Sequence, residues 1–152
     1  MKKVLIANRG EIAVRVINTC RKMGISTVAI YSEADRDSRH VQMADEAFCV
    51  GPAPSADSYL QADKIIQICK ENNVDGVHPG YGFLSENAKF VKSVAKAGIA
   101  FIGPSPEAID LMGSKIDSKQ AVSKYGVPLV PGINHAVEDI TEATSVAAEI
   151  GY

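Results

Sequence analysis

Short, nearly continuous apolar runs that alternate with amphipathic segments constrain this chain most. The run Lys3-Val4-Leu5-Ile6-Ala7 has almost no polar interruption. A strand reads that way when both faces of a parallel sheet are covered. A turn at Asn8-Arg9-Gly10 follows, then residues 11–23, with Ile12, Val16, Ile17 and Cys20 spaced as one helical face. Gly24 stands where helices commonly end. Further strands are expected over 26–31, 47–50, 74–78 and 99–102. Helices are expected over 62–72, 88–97 and 106–112, with a shorter one near His40 to Met43. Residues 1–112 therefore predict an α/β fold, a Rossmann-like doubly wound parallel sheet with right-handed crossovers. From Gly113 the alternation stops. A helix over 115–125, an extended stretch over 127–132 and a helix over 139–150 predict a C-terminal helical connector across 113–152.

Such a sheet binds ligands at the carboxyl ends of its strands. A dinucleotide site is one alternative, because Glu33 and Asp35 follow the second strand, where an acidic residue could hold a ribose. The first turn, however, has one glycine rather than the G-x-G-x-x-G set. Arg9 and Glu11 are instead expected to hold the turn and its packing. Among 152 residues the net charge is −2, with no basic block to suit a nucleic acid. No apolar run approaches the roughly 20 residues of a membrane helix. The first ten residues lack the pattern of a signal peptide. Cys20, Cys49 and Cys69 lie in apolar patterns without C-x-x-C spacing, as buried reduced thiols do. His40, His78 and His135 show no metal-ligand spacing, and no metal site is assigned.

The segment between the fourth strand and the next helix is the richest in chemistry, His78-Pro79-Gly80-Tyr81-Gly82-Phe83-Leu84-Ser85-Glu86-Asn87. It holds an imidazole, an aromatic and a carboxylate between a strand end and a helix start. Two glycines flank Tyr81, so the backbone can turn tightly there. Ser85 is expected to cap the following helix, which places Glu86 in its first turn. His78, before a proline and without an identified partner, is expected to order the loop rather than act as a base.

This loop resembles the signature of the biotin carboxylase family of the ATP-grasp superfamily. Other segments resemble the family in the same order: Ala7 to Ala13, the YSEADRDS segment, Gly51-Pro52-Ala53-Pro54 with Ser58-Tyr59-Leu60, Phe101-Ile102-Gly103-Pro104, and Leu111-Met112-Gly113-Ser114-Lys115. The resemblance runs from residue 3 to the end. It implies ADP-forming carboxylation of protein-bound biotin with bicarbonate, using ATP and Mg2+. In the family a strand and a glycine-rich phosphate loop follow the position of Tyr152, so the chain reads as the N-terminal domain of a longer protein, inactive alone. The resemblance assigns Lys115 to ATP phosphate. It places Tyr81 and Gly82 on the biotin side of the site, with Glu86 in a supporting catalytic role beside an arginine further along the parent. Ser114 replaces the commoner acidic residue before the lysine, and a helix cap tolerates either. Mg2+ would be held by the ATP-grasp domain beyond residue 152. Implied partners are that domain and the C-terminal domain of the same chain, a biotin carboxyl carrier domain, a carboxyltransferase and a second copy of the parent. The implied compartment is the cytoplasm, or the mitochondrial matrix for a eukaryotic parent. Two rivals stand beside this reading: another ATP-grasp ligase of the carbamoyl-phosphate synthetase type, and a standalone Rossmann-type nucleotide-binding module.

Overall fold

The structure of the chain, a computed structural model, describes all residues except 132, 134, 138 and 152. It divides into two compact units, Met1–Pro106 and Glu107–Tyr152.

The first unit is built on five parallel strands: β1 (Lys3–Ile6), β2 (Ser26–Ser32), β3 (Glu46–Gly51), β4 (Gly76–His78) and β5 (Ala100–Phe101). Their order in the sheet is β3-β2-β1-β4-β5. Lys3 stands beside Ser26, and Ile6 beside Ala29 on one side and His78 on the other. The chain therefore winds outward from β1 in both directions. β1 alternates between two hydrophobic clusters: Leu5 and Ala7 join Val28, Ile30, Ile65, Val77 and Phe90, whereas Ile6 packs with Ala13 and Ile17. That is the period-2 alternation of a strand covered on both faces.

Helix α1 (Gly10–Lys22) packs on β1 and β2 and against α2 (Arg39–Met43). Helices α3 (Ala62–Glu71) and α4 (Ala88–Lys96) pack on each other and on β3 and β5 respectively. Two single 3-10 turns, Glu33–Asp35 and Ser55–Asp57, punctuate the loops after β2 and β3. The expected doubly wound parallel sheet is thus present. Its strands differ from the expected spans by a residue or two. The fourth begins at Gly76 rather than Val74, because the Val74 amide donates to Cys69 O at 2.9 Å and ends α3 instead of joining the sheet.

The second unit carries α5 (Pro106–Gly113, entered from the last residue of the first unit), α6 (Lys115–Ser123) and α7 (Ile140–Ile150). Ser114 caps α6 by accepting from the Asp117 amide at 3.2 Å, and Asp139 caps α7 by accepting from the Glu142 amide at 2.8 Å. The extended stretch expected over 127–132 forms no strand at 127–131, and Gly132 lies outside the described residues. Pro128 and Pro131 lack the N–H that a ladder needs.

Phe90 is almost fully buried in α4 and meets the Phe101 ring edge-on, with centroids 6.2 Å apart. Phe90→Ala should destabilise the chain by about 3–5 kcal/mol, read from urea unfolding. The exposed neighbour Lys89→Ala should leave the midpoint nearly in place.

Candidate functional site

Because β1 lies between β2 and β4, the loops that leave these three strands converge at one end of the sheet. Asn8, just past β1, is 2% exposed and joins two of them. Its Nδ2 donates to the carbonyls of Pro79 and Tyr81, each at 2.8 Å, and its Oδ1 accepts from the Arg9 amide at 2.9 Å. The loop 79–87 then folds on itself. Gly80 N–H donates to His78 Nδ1 at 3.0 Å, Ser85 N–H to Gly82 O at 3.0 Å, and Asn87 N–H to Leu84 O at 3.2 Å. His78 therefore orders the loop, as expected. Burial holds its pKa below the usual histidine value, which keeps Nδ1 an acceptor.

The cap of α4 differs from expectation. Asn87, not Ser85, accepts from the Phe90 amide at 3.0 Å, and Glu86 precedes the helix instead of lying in its first turn. The turn from Gly82 to Ser85 takes Ser85 out of the cap position, and the helix starts at Ala88, where its apolar spacing begins.

Asp35 is the polar hub beside this loop. Its Oδ2 accepts from the Tyr59 hydroxyl at 2.7 Å, from Ser32 Oγ at 3.0 Å and from Arg9 Nη1 at 3.1 Å. Burial alone would raise the Asp35 pKa, but the bonds from Tyr59, Arg9 and Ser32 outweigh it and lower the value. Burial and the Asp35 bond push the Tyr59 phenol up to about 12. The Tyr59 ring stacks on Phe83 with centroids 5.1 Å apart, and the Arg9 guanidinium carbon lies 5.6 and 5.9 Å from the Tyr59 and Phe83 centroids. Asp35 is the acidic residue that could have held a ribose. Its oxygen is engaged inside the domain instead, as is Arg9, which was expected to hold the turn.

Among the sequence-assigned residues, Tyr81 and Gly82 line a recess of about 390 Å³ together with Asn8, Arg9, Gly10, Glu11, Ile12 and Phe83. Tyr81 also borders a larger groove of about 440 Å³ beside α1, lined mainly by apolar residues such as Val4, Val16, Met23 and Ile25. That groove is mostly apolar, with Arg15, Thr19 and His78 among its lining, whereas polar atoms make up a larger share of the recess, so the recess is the better candidate. Glu86 sits on the same loop with its side chain exposed and does not line the recess. Lys115 is exposed at the first position of α6, in the second unit. Among the described residues no three His, Cys, Asp or Glu side chains are grouped to hold a metal. No helix among them is long and apolar enough to cross a membrane.

Sequence reasoning missed three members of this cluster. Asn8 was read as a turn residue, although an amide placed directly after a buried strand was the available signal. Tyr59 sat in a Pro- and Ser-rich break. His40 was read as part of a polar connection but is fully buried, with Nε2 on Ile30 O at 3.2 Å and Nδ1 accepting from Gly10 N–H at 3.4 Å. Burial lowers its pKa. Of the cysteines, Cys20 and Cys69 are buried as expected, whereas Cys49 is half-buried.

Two outcomes follow from this geometry. A Cβ on Gly80 would lie 2.7 Å from Asn8 Nδ2 and 2.8 Å from Ile12 Cγ2, whereas one on Gly82 meets nothing within 4 Å. Both glycines have positive φ. Gly82→Ala should cost only the conformational penalty of about 1–2 kcal/mol, and Gly80→Ala measurably more, by denaturant unfolding. The second outcome concerns pH. His40 and His78 have folded pKa values below 6.5, so the unfolded chain binds more protons as the pH falls through that value. Their contribution is complete above 6.5 and is lost on acidification. Asp35 and Asp45, lowered below 3.8, add a second loss at still lower pH. The urea midpoint should therefore fall from pH 7.5 to 5.5 and again towards pH 3. A midpoint unchanged over the first step would contradict the buried neutral histidines.

The family model for the biotin carboxylase N-terminal domain matches residues 1–109. A biotin carboxylase of Halalkalibacterium halodurans is 58% identical over 151 residues, 99% of this chain and 33% of that protein. The mitochondrial propionyl-CoA carboxylase alpha chain of Sus scrofa is 55% identical over 150 residues, 99% of this chain and 20% of its own length. Among solved structures, the biotin carboxylase domain of Hydrogenobacter thermophilus 2-oxoglutarate carboxylase, in complex with MgADP, ADP and bicarbonate, superposes with a TM-score of 0.90. It is 50% identical and covers 99% of this chain, which spans 33% of it. The chain thus spans about a third of the length of the biotin carboxylases it matches and less of the larger carboxylase chains.

Proposed function

The chain belongs to the biotin carboxylase N-terminal domain family, and from that premise we propose that it forms one wall of a biotin carboxylase active site in a longer parent enzyme. The parent reaction is ATP-dependent carboxylation of protein-bound biotin with bicarbonate. The observation that carries this reading is the recess walled by Tyr81 and Gly82, on a loop fixed to the end of β1 by Asn8.

ATP, when bound, supplies the phosphoryl group that activates bicarbonate, and biotin supplies the ureido nitrogen that is carboxylated. The residues of this chain bind and orient. Gly82 is exposed with φ +66° and open space where a Cβ would be, so its amide can approach a ureido or carboxylate oxygen closely. Tyr81 supplies an exposed aromatic edge to the same recess. Glu86 is the carboxylate that can pair with an arginine from the region of the parent that this chain does not span, in a charge-assisted bond. Lys115, an exposed point charge at the start of α6, suits phosphate oxygens. The described residues have no acidic cluster to hold Mg2+, which on this reading is held by the ATP-grasp domain of the parent.

On this reading residues 1–112 form the wall and 113–152 the connector to the ATP-grasp domain. The remaining partners are the C-terminal domain, a biotin carboxyl carrier domain, a carboxyltransferase and a second copy of the parent. The compartment is the cytoplasm or, for a eukaryotic parent, the mitochondrial matrix. The 152-residue chain alone should show no bicarbonate-dependent ATP hydrolysis.

The test is made in the full-length parent. Lys115→Gln removes a charge that contributes roughly 1.5–3 kcal/mol to a charge-assisted bond, so apparent ATP affinity should fall about ten- to a hundredfold. Glu86→Gln should leave ATP affinity nearly unchanged and lower carboxybiotin formation. Melting curves of both variants exclude a helix-stability effect. A common kinetic defect, or an ATP dependence untouched by Lys115→Gln, refutes the division of roles.

A further inference from the structure

We infer that Asn8 and Arg9 are positioning residues for the carboxylation side of the site: they hold the loop that carries Tyr81 and Gly82 in a single conformation. The inference rests on the function proposed above for that loop.

Asn8 reaches across more than seventy residues of sequence to the loop backbone. Both carbonyls that it binds belong to residues flanking Gly80, and Gly80 is pressed so closely on the amide that no side chain fits between them. One Nδ2 group serves both carbonyls, and Oδ1 is occupied by the Arg9 amide. Asparagine alone among side chains of this length presents two N–H donors with an acceptor. An aspartate would set a carboxylate against two carbonyl oxygens, and a serine has one donor. The sheet does not need this clamp. Pairing of β1 with β4 is carried by backbone bonds as far as Ala7 N–H to His78 O at 2.9 Å. Asn8 acts only beyond that point, on the loop.

Arg9 holds the loop at a second place. Its guanidinium is fixed by Asp35 at 3.1 Å and lies near the stacked rings of Tyr59 and Phe83. Phe83 has φ +48°, in the left-handed region that non-glycine residues avoid. It directly follows Gly82 at φ +66°. A residue in that conformation persists when its surroundings over-determine it. Here the stack on Tyr59, the cation above the rings and the Gly82–Ser85 turn do so. Asp35 and Tyr59 thus act on the loop through Arg9 and Phe83, at a place distinct from the carbonyls that Asn8 binds.

The first test follows amide exchange in the 152-residue chain. Gly80, Ser85 and Asn87 are hydrogen-bonded loop amides, and Val28 reports on the sheet core. In Asn8→Ala the loop amides should exchange about tenfold faster or more, with Val28 unchanged. Arg9→Met keeps an unbranched stem and removes the charge and the planar fork. It should show the same local effect, and because the Arg9 side chain is half exposed this variant can fold even where Asn8→Ala does not. In the full-length parent, with free biotin as the probe, both variants should lower kcat/KM for biotin about ten- to a hundredfold while KM for ATP stays in place. Arg9→Lys, which retains the charge near Asp35 and the rings, should recover part of the loss.

Equal acceleration of loop and core amides, or none, overturns the clamp, because it leaves the two residues a merely structural role. Faster loop exchange with unchanged biotin kinetics instead overturns the assignment of the loop to the carboxylation side.

Discussion

The covering of β1 on both faces is the constraint on which the first unit depends. Leu5 and Ala7 commit one face to the larger core, and Ile6 commits the other to α1. A strand so placed must pair on both edges, and the chain supplies β2 on one side and β4 on the other. Ligand crevices form at such points of reversal because the loops on either side diverge to opposite faces. The first polar side chain past β1 is then trapped between those loops. Asn8 is that residue, and a buried amide there is tolerable only with its hydrogen bonds made.

The polar cluster around Asp35 shows how this fold can carry a different site from a dinucleotide enzyme. In the dinucleotide pattern three glycines bring the first turn close to a pyrophosphate, and a free acidic side chain after the second strand meets a ribose. Here the first turn has one glycine, and its asparagine and arginine turn towards protein instead of phosphate. The acidic side chain after β2 is consumed by Arg9, Tyr59 and Ser32. Desolvation works against the Asp35 charge, and three donors at 2.7–3.1 Å reverse the balance. Such a satisfied network specifies one arrangement of its loops, whereas the loss of a single donor would leave a partly buried carboxylate short of partners.

Much of this was legible in the sequence. Strands covered on both faces have no polar positions, so Lys3-Val4-Leu5-Ile6-Ala7 declared itself, and β5 was found from four residues although only two pair in the sheet. The loop 78–87 was legible as a candidate site because its glycines, proline and strand-end position coincide. What could not be read was tertiary in origin. His40 lies in a polar run, and its burial arises only when α2 packs against α1. Asp35 and Tyr59 are 24 residues apart and meet through the pairing of β2 with β3. The choice of Asn87 over Ser85 as the cap of α4 turned on an internal loop bond, Ser85 N–H to Gly82 O, which no propensity for capping contains.

The same bonds determine what the loop offers a ligand. Its backbone is held at Pro79, Tyr81, Phe83 and Ser85, while the Tyr81 side chain remains 71% exposed and Glu86 is exposed as well. Fixing the backbone of the eight residues 79–86 from a mobile state would cost on the order of 10 kcal/mol, at roughly 1–2 kcal/mol per residue. In this domain that cost is met during folding, by Asn8, by the Arg9–Asp35–Tyr59 cluster and by the turn bonds. What remains at binding is the rotamer freedom of exposed side chains, at most about 2 kcal/mol each. On the function proposed above, such a loop would present Gly82 N–H in a fixed direction to a small planar ligand with few polar atoms, whose few contacts could not by themselves order a mobile one.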